Sequence, residues 1–106
     1  GANAQTALGS LAAVETANRL EIKVIGIDDE EGQLNALEIA DSPYYLTIAQ
    51  NPVEIGMLCA ETADKAFKGE QVDDIAVASR LVTKENVMDY IANEEGNRQK
   101  MEAYKQ

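Results

Sequence analysis

The sequence predicts an α/β fold built as a doubly wound parallel sheet, on three observations. Helix-like and strand-like segments alternate along the chain in the order α-β-α-β-α-β-α, with no internal repeat. The run Ile22-Lys23-Val24-Ile25-Gly26-Ile27 is almost continuously apolar, the pattern of a strand covered on both faces. Between Leu46 and Gly56 the chain passes from a buried strand through a polar stop into a helix, a sharp strand-to-helix corner around which the remaining segments are arranged.

From Ala4 to Arg19, Ala7, Leu8, Leu11, Ala12 and Val14 with the small Gly9 and Ala13 predict a helix with a flat apolar side, and Asn3 stands at its cap. Ile22–Ile27 then reads as a central strand. Asp28 and Asp29 follow at its carboxyl end, where one of them is expected to cap the next helix. Glu30 and Glu31 enrich the first turn of that helix, which carries Leu34, Leu37 and Ile39. Asp41-Ser42-Pro43 marks a turn, and Leu46 to Ala49, extended backward by Tyr44 and Tyr45, reads as the second strand.

Asn51 as cap, Pro52 at the first helical position and Glu54 three residues after the cap specify a helix from Pro52 to about Lys68. Ile55, Leu58, Cys59, Thr62 and Ala66 line its apolar side, which puts Cys59 in the core. Gly69 suits a left-handed helix end, and Glu70 to Asp74 is a polar loop. Ile75 to Val82 reads as the last strand. Thr83 would cap a short helix with Val87, Tyr90 and Ile91 inward, and Glu94 to Gln106 reads as a solvated tail or frayed helix.

Composition narrows the function classes. At 106 residues with 45% hydrophobic and 26% charged residues, the chain suffices for one small domain with a modest core. A net charge of -10 repels a phosphate backbone, so nucleic acid is not an expected partner. The chain has no His and one Cys, which removes the usual metal, triad and Cys-His constellations; no metal or cofactor is expected, and catalysis is not. The tandem Asp28-Asp29 invites a metal or acid-base reading, but neighbouring side chains need not point the same way, and no phosphate-cradling glycine loop accompanies them.

Three polar residues, Asn3, Asp28 and Gln50, stand at a helix entry or at strand ends, points that converge along one edge of an open α/β sheet. Each has an ordinary structural role open to it, as a cap or a solvated turn. Together, one carboxylate and two amides supply donors and acceptors without positive charge, which suits a neutral polyhydroxyl ligand such as a sugar better than a phosphate.

The blocks Asn3-Ala4-Gln5-Thr6-Ala7-Leu8-Gly9, Val24-Ile25-Gly26-Ile27-Asp28, Thr47-Ile48-Ala49-Gln50-Asn51-Pro52 with Gly56, and Leu81-Val82-Thr83-Lys84-Glu85-Asn86-Val87 resemble, in that order, the C-terminal part of the ribose- and galactose-type periplasmic sugar-binding proteins. The resemblance runs over about residues 1–92. It implies a partial fold: residues 1–50 in the C-terminal lobe of a two-lobed protein, 51–79 a helix and strand packing on the N-terminal lobe, and 80–106 a hinge return, a short helix and a polar tail. It also implies that Asn3, Asp28 and Gln50 are the ligand-binding residues, that the sugar is captured for an ABC transporter permease, and that the parent is periplasmic or a lipid-anchored extracytoplasmic protein. The chain departs from the family at Ala4, often Asp there, and at Asp29, often Gly. A helix and sheet edges without their partners leave a sticky surface, so the fragment is expected to self-associate. The alternative function is the effector-binding domain of a lactose-repressor-type transcription regulator, which shares the fold.

Overall fold

The computed structural model describes residues 1–104 and places seven elements in chain order: α1 (Ala4–Thr16), β1 (Val24–Ile27), α2 (Glu31–Glu38), β2 (Tyr44–Ala49), α3 (Pro52–Phe67), β3 (Arg80–Thr83) and α4 (Val87–Tyr104). Local chemistry accounts for the helix boundaries. Asn3 is extended at the start of α1 and its Oδ1 accepts from the Thr6 amide at 2.9 Å, while Thr6 Oγ1 accepts from the Asn3 amide at 3.2 Å. The helix stops before Arg19 because Asn18 takes a left-handed backbone, φ 52°. α3 begins as the sequence specifies: Asn51 Oδ1 accepts from the Glu54 amide, Pro52 occupies the first turn, and Gly69 closes the other end at φ 76°.

β1 and β2 pair in parallel, with Gly26 opposite Thr47 and Ile27 opposite Ile48, as the α/β reading requires. β3 runs antiparallel to β2, and the order β1-β2-β3 puts β2 in the middle. The expected central strand, Ile22–Ile27, is therefore an edge strand here. Its all-apolar pattern suits cover on both sides, yet Ile25 remains 48% exposed. β3 is also shorter than the expected Ile75–Val82, because Arg80 already sits opposite Ala49, the last residue of β2. Residues 75–79 lie beyond any strand they could pair with among the described residues.

α1, α2 and α4 pack side by side over one face of the sheet, around a core of Ala7, Leu11, Val24, Leu37, Tyr44, Val82, Val87 and Tyr90. Val87 and Tyr90 point inward as expected. Ile39, expected on α2, follows its last turn and is exposed, while Gln33 takes an inward place on that helix. Thr83 does not cap α4. It ends β3, and Asn86 makes the turn instead, with its Oδ1 accepting from the Thr83 amide at 2.7 Å and its carbonyl from the Tyr90 amide at 2.9 Å. α4 runs on through the stretch read as a solvated tail or frayed helix, with Arg80 paired to Glu94 at 2.9 Å near its start; the expectation for residues 105 and 106 lies outside the described residues.

The opposite face of the sheet is bare, with Ile48 and Leu81 exposed beside Ile25. α3 has no buried residue, and Phe67 is 93% exposed. Cys59, expected in the core, is exposed for the same reason: the apolar side of its helix has nothing over it but the segment around Asp73 to Val77. The radius of gyration, 17.4 Å, exceeds the roughly 13 Å of a compact chain of this length.

Gly26 is where the helices come closest to the sheet. A Cβ there would lie 2.0 Å from the Tyr44 hydroxyl, 2.7 Å from Gln33 Nε2 and 3.0 Å from Ala7 Cβ. Gly26→Ala is expected to destabilise the fold by about 2–3 kcal/mol, since overpacking displaces a buried hydrogen-bonded pair. Urea unfolding checks it, and an unchanged midpoint would contradict the packing described.

Candidate functional site

Asp28 and Gln50 meet at the carboxyl ends of β1 and β2, beside the start of α1 that Asn3 caps. Asp28 leaves β1 with φ 82°, a left-handed conformation that a non-glycine residue adopts at a cost and that Asp tolerates better than most. Neighbours hold it there. Its amide donates to the Ile48 carbonyl at 2.9 Å, and its carbonyl accepts from Thr47 Oγ1 at 2.6 Å. The carboxylate then bridges two elements: Oδ1 accepts from Gln50 Nε2 at 2.7 Å, and Oδ2 accepts from the Ala4 amide, at the start of α1, at 3.3 Å.

The expectation that Asp28 or Asp29 caps α2 is thus not met. Glu30 stands at that cap position, with its amide donating to Gln33 Oε1 at 3.1 Å. Asp28 serves the N-terminus of α1 instead, so its negative charge occupies the partly positive helix end where an anionic ligand would otherwise bind. Asp29 turns the other way, and its Oδ2 accepts from the Tyr90 hydroxyl of α4. The two carboxylates do not act on one centre.

Asn3 lies one residue from the Ala4 amide that Asp28 accepts, and fills its cap role through Oδ1, which accepts from both the amide and the hydroxyl of Thr6. Its Nδ2 makes no hydrogen bond among the described residues and remains available as a donor. Gln50 and Asn3 are exposed and Asp28 is half-buried. The edge therefore offers a carboxylate acceptor, an amide donor and an amide carbonyl.

Residues beneath this edge were not nominated from the sequence. Gln33 is fully buried; its Nε2 lies 2.9 Å from the Ile27 carbonyl, 2.8 Å from the Tyr44 hydroxyl and 3.2 Å from Thr47 Oγ1. Thr47, also fully buried, passes the chain on to the Asp28 carbonyl. One signal was available in the sequence: Gln33 stands three residues after Glu30, a capping-box spacing.

Gln33→Leu, of similar size, removes the acceptor of the Glu30 amide and the donor to the Ile27 carbonyl and the Tyr44 hydroxyl, while Thr47 keeps its bond to the Asp28 carbonyl. It is expected to cost about 2–3 kcal/mol. Chemical denaturation measures it, and a loss below about 0.5 kcal/mol would show that water replaces the amide without penalty.

No protein-family model matches the chain. The ribose import binding protein of Escherichia coli strain K12 is 39% identical over 84 residues, which are 78% of this chain and 28% of that protein. The protein of the same name from Haemophilus influenzae is 39% identical over 71 residues, 67% of this chain and 23% of its own length. Among solved structures, an ABC transporter solute binding protein from Agrobacterium vitis with bound allitol superposes with a TM-score of 0.74 at 26% identity, covering 81% of this chain and 30% of that one. A solute binding protein from Mycobacterium smegmatis with bound glycerol gives a TM-score of 0.72 at 30% identity, covering 83% of this chain and 31% of that one. The chain spans less than a third of the length of each.

Proposed function

Because this chain corresponds in sequence and fold to part of the periplasmic sugar-binding proteins of the ribose type, we propose that it forms one wall of a monosaccharide site in a solute-binding protein that delivers sugar to an ABC transporter permease. The observation that carries the proposal is the Asp28 carboxylate, presented at a left-handed strand end and joined to Gln50 and to the start of α1. Sugar hydroxyls both donate and accept. Asp28 accepts from them, Asn3 Nδ2 donates to one, and Gln50 adjusts between Asp28 and the ligand. The chemistry is binding and release, without a catalytic step.

The sites of action follow from that role. The complete protein works outside the cytoplasmic membrane, periplasmic or lipid-anchored. Residues 1–50 build part of the C-terminal lobe, 51–79 pack on the N-terminal lobe, and 80–106 supply the hinge return, a helix and a polar tail. The exposed apolar side of α3 and the bare face around Ile48 support this division, since both lack the cover that an apolar surface of this extent has in a complete protein. In isolation the chain covers those surfaces with another copy of itself.

Two measurements test this reading. In the complete protein, Asp28→Ala is expected to weaken sugar binding about tenfold to a hundredfold, the loss of a hydrogen bond to a charged group in a closed cleft. Calorimetry with D-ribose and a panel of other monosaccharides reads it; a folded variant that binds as tightly as the wild type would refute the site. For the isolated chain, light scattering is expected to give a mass above that of the monomer, and a clean monomer at high concentration would remove the self-association.

A further inference from the structure

Asp28 and Asp29 are adjacent carboxylates of like charge, and they leave the end of β1 in opposite directions. Asp28 faces Gln50 and α1. Asp29 lies in a cleft of about 500 Å³ between α2 and α4 that Glu31, Glu38 and Glu94 also line. Glu94 is paired with Arg80 at 2.9 Å, so Glu31 and Glu38 are the carboxylates named here whose charge works against Asp29 in the cleft. The described donor to Asp29 is the hydroxyl of Tyr90. Tyr90 is 9% exposed and its ring belongs to the core with Val82 and Val87, so packing fixes where that hydroxyl points.

We propose that Tyr90 is a positioning residue for the ligand edge: it holds Asp29 in the cleft between α2 and α4, so that Asp28 alone presents a carboxylate to a polyhydroxyl ligand. The inference rests on the site reading above and adds a residue far along the chain to it. A phenol is a protonated donor at neutral pH in any case, and burial, followed by the hydrogen bond to Asp29, raises the Tyr90 pKa further above its ordinary value. Without that donor, Asp29 loses its tie to α4, and the charges of Glu31 and Glu38 favour its turning out of the cleft toward Gln50. There it competes for the Gln50 amide and sets a second negative charge beside Asp28.

The test uses the complete protein, with Tyr90→Phe, Asp29→Ala and the double variant. Calorimetry with D-ribose is expected to show about a three- to tenfold loss for Tyr90→Phe, the range of one net hydrogen bond. The double variant is expected to bind within about twofold of the wild type, because it lacks the carboxylate that Tyr90 restrains. A Tyr90 that merely packs α4 would give no such rescue, and a double variant as weak as Tyr90→Phe overturns the proposal. The crystal structure of unliganded Tyr90→Phe gives a readout that needs no sugar: Asp29 turned toward Gln50 supports the proposal, and Asp29 still in the cleft refutes it. Asp28→Ala separates the two levels. If it abolishes binding while Tyr90→Phe changes nothing, only this inference falls; if Asp28→Ala binds normally, the site itself falls.

Discussion

The corner at the end of β1 depends on one buried amide. Gln33 lies under the sheet, where an unpaired polar group would be costly, and each end of its side chain is engaged: Oε1 by the Glu30 amide, Nε2 by Ile27, Tyr44 and Thr47. That one side chain ties the start of α2 to both parallel strands. Thr47 extends the tie to the carbonyl of Asp28, and an Asp at φ 82° keeps its place because its amide, carbonyl and carboxylate are all bonded. Gly26 is the complement of the arrangement, since only a residue without a side chain leaves room for the Tyr44 hydroxyl and the Gln33 amide to meet above it. The strand ends that carry Asp28 and Gln50 are thus backed by a buried polar network, the condition for holding such groups within tight geometric limits.

How much of this could be read in the sequence follows from how local each signal is. The start of α3 was fully legible, because Asn51, Pro52 and Glu54 cap it among themselves. The parallel pairing of β1 with β2 was legible from the helix between them. Strand order was not: the apolar run at Ile22–Ile27 describes a strand covered on both faces, and the described chain supplies neither the second face nor the outer neighbour. Cys59 was misplaced on the same ground, since an apolar helix side marks what a surface is meant to meet and does not say whether the partner is in the same stretch of chain. β3 was read too long because its end depends on where β2 stops, a long-range fact.

The candidate site shows the same division. Asn3, Asp28 and Gln50 were nominated by position at helix entries and strand ends, and the fold brings Asp28 against both Gln50 and the first amide of α1. The roles of Gln33, Thr47 and Tyr90 escaped notice because each acts through contacts set by tertiary packing, with 61 residues separating Tyr90 from Asp29. Asp29 itself was weighed as half of a metal or acid-base pair. Its partner on another element removes that pairing and gives the second carboxylate a separate place in the structure.

The central claim is that the carboxylate of Asp28 receives the ligand. The most direct measurement is a crystal structure of the complete protein with its monosaccharide bound. The account requires two sugar hydroxyls within hydrogen-bond distance of the Asp28 carboxylate, with Asn3 and Gln50 on the same ligand. A sugar bound elsewhere, with Asp28 joined only to Gln50 and the start of α1, would contradict it.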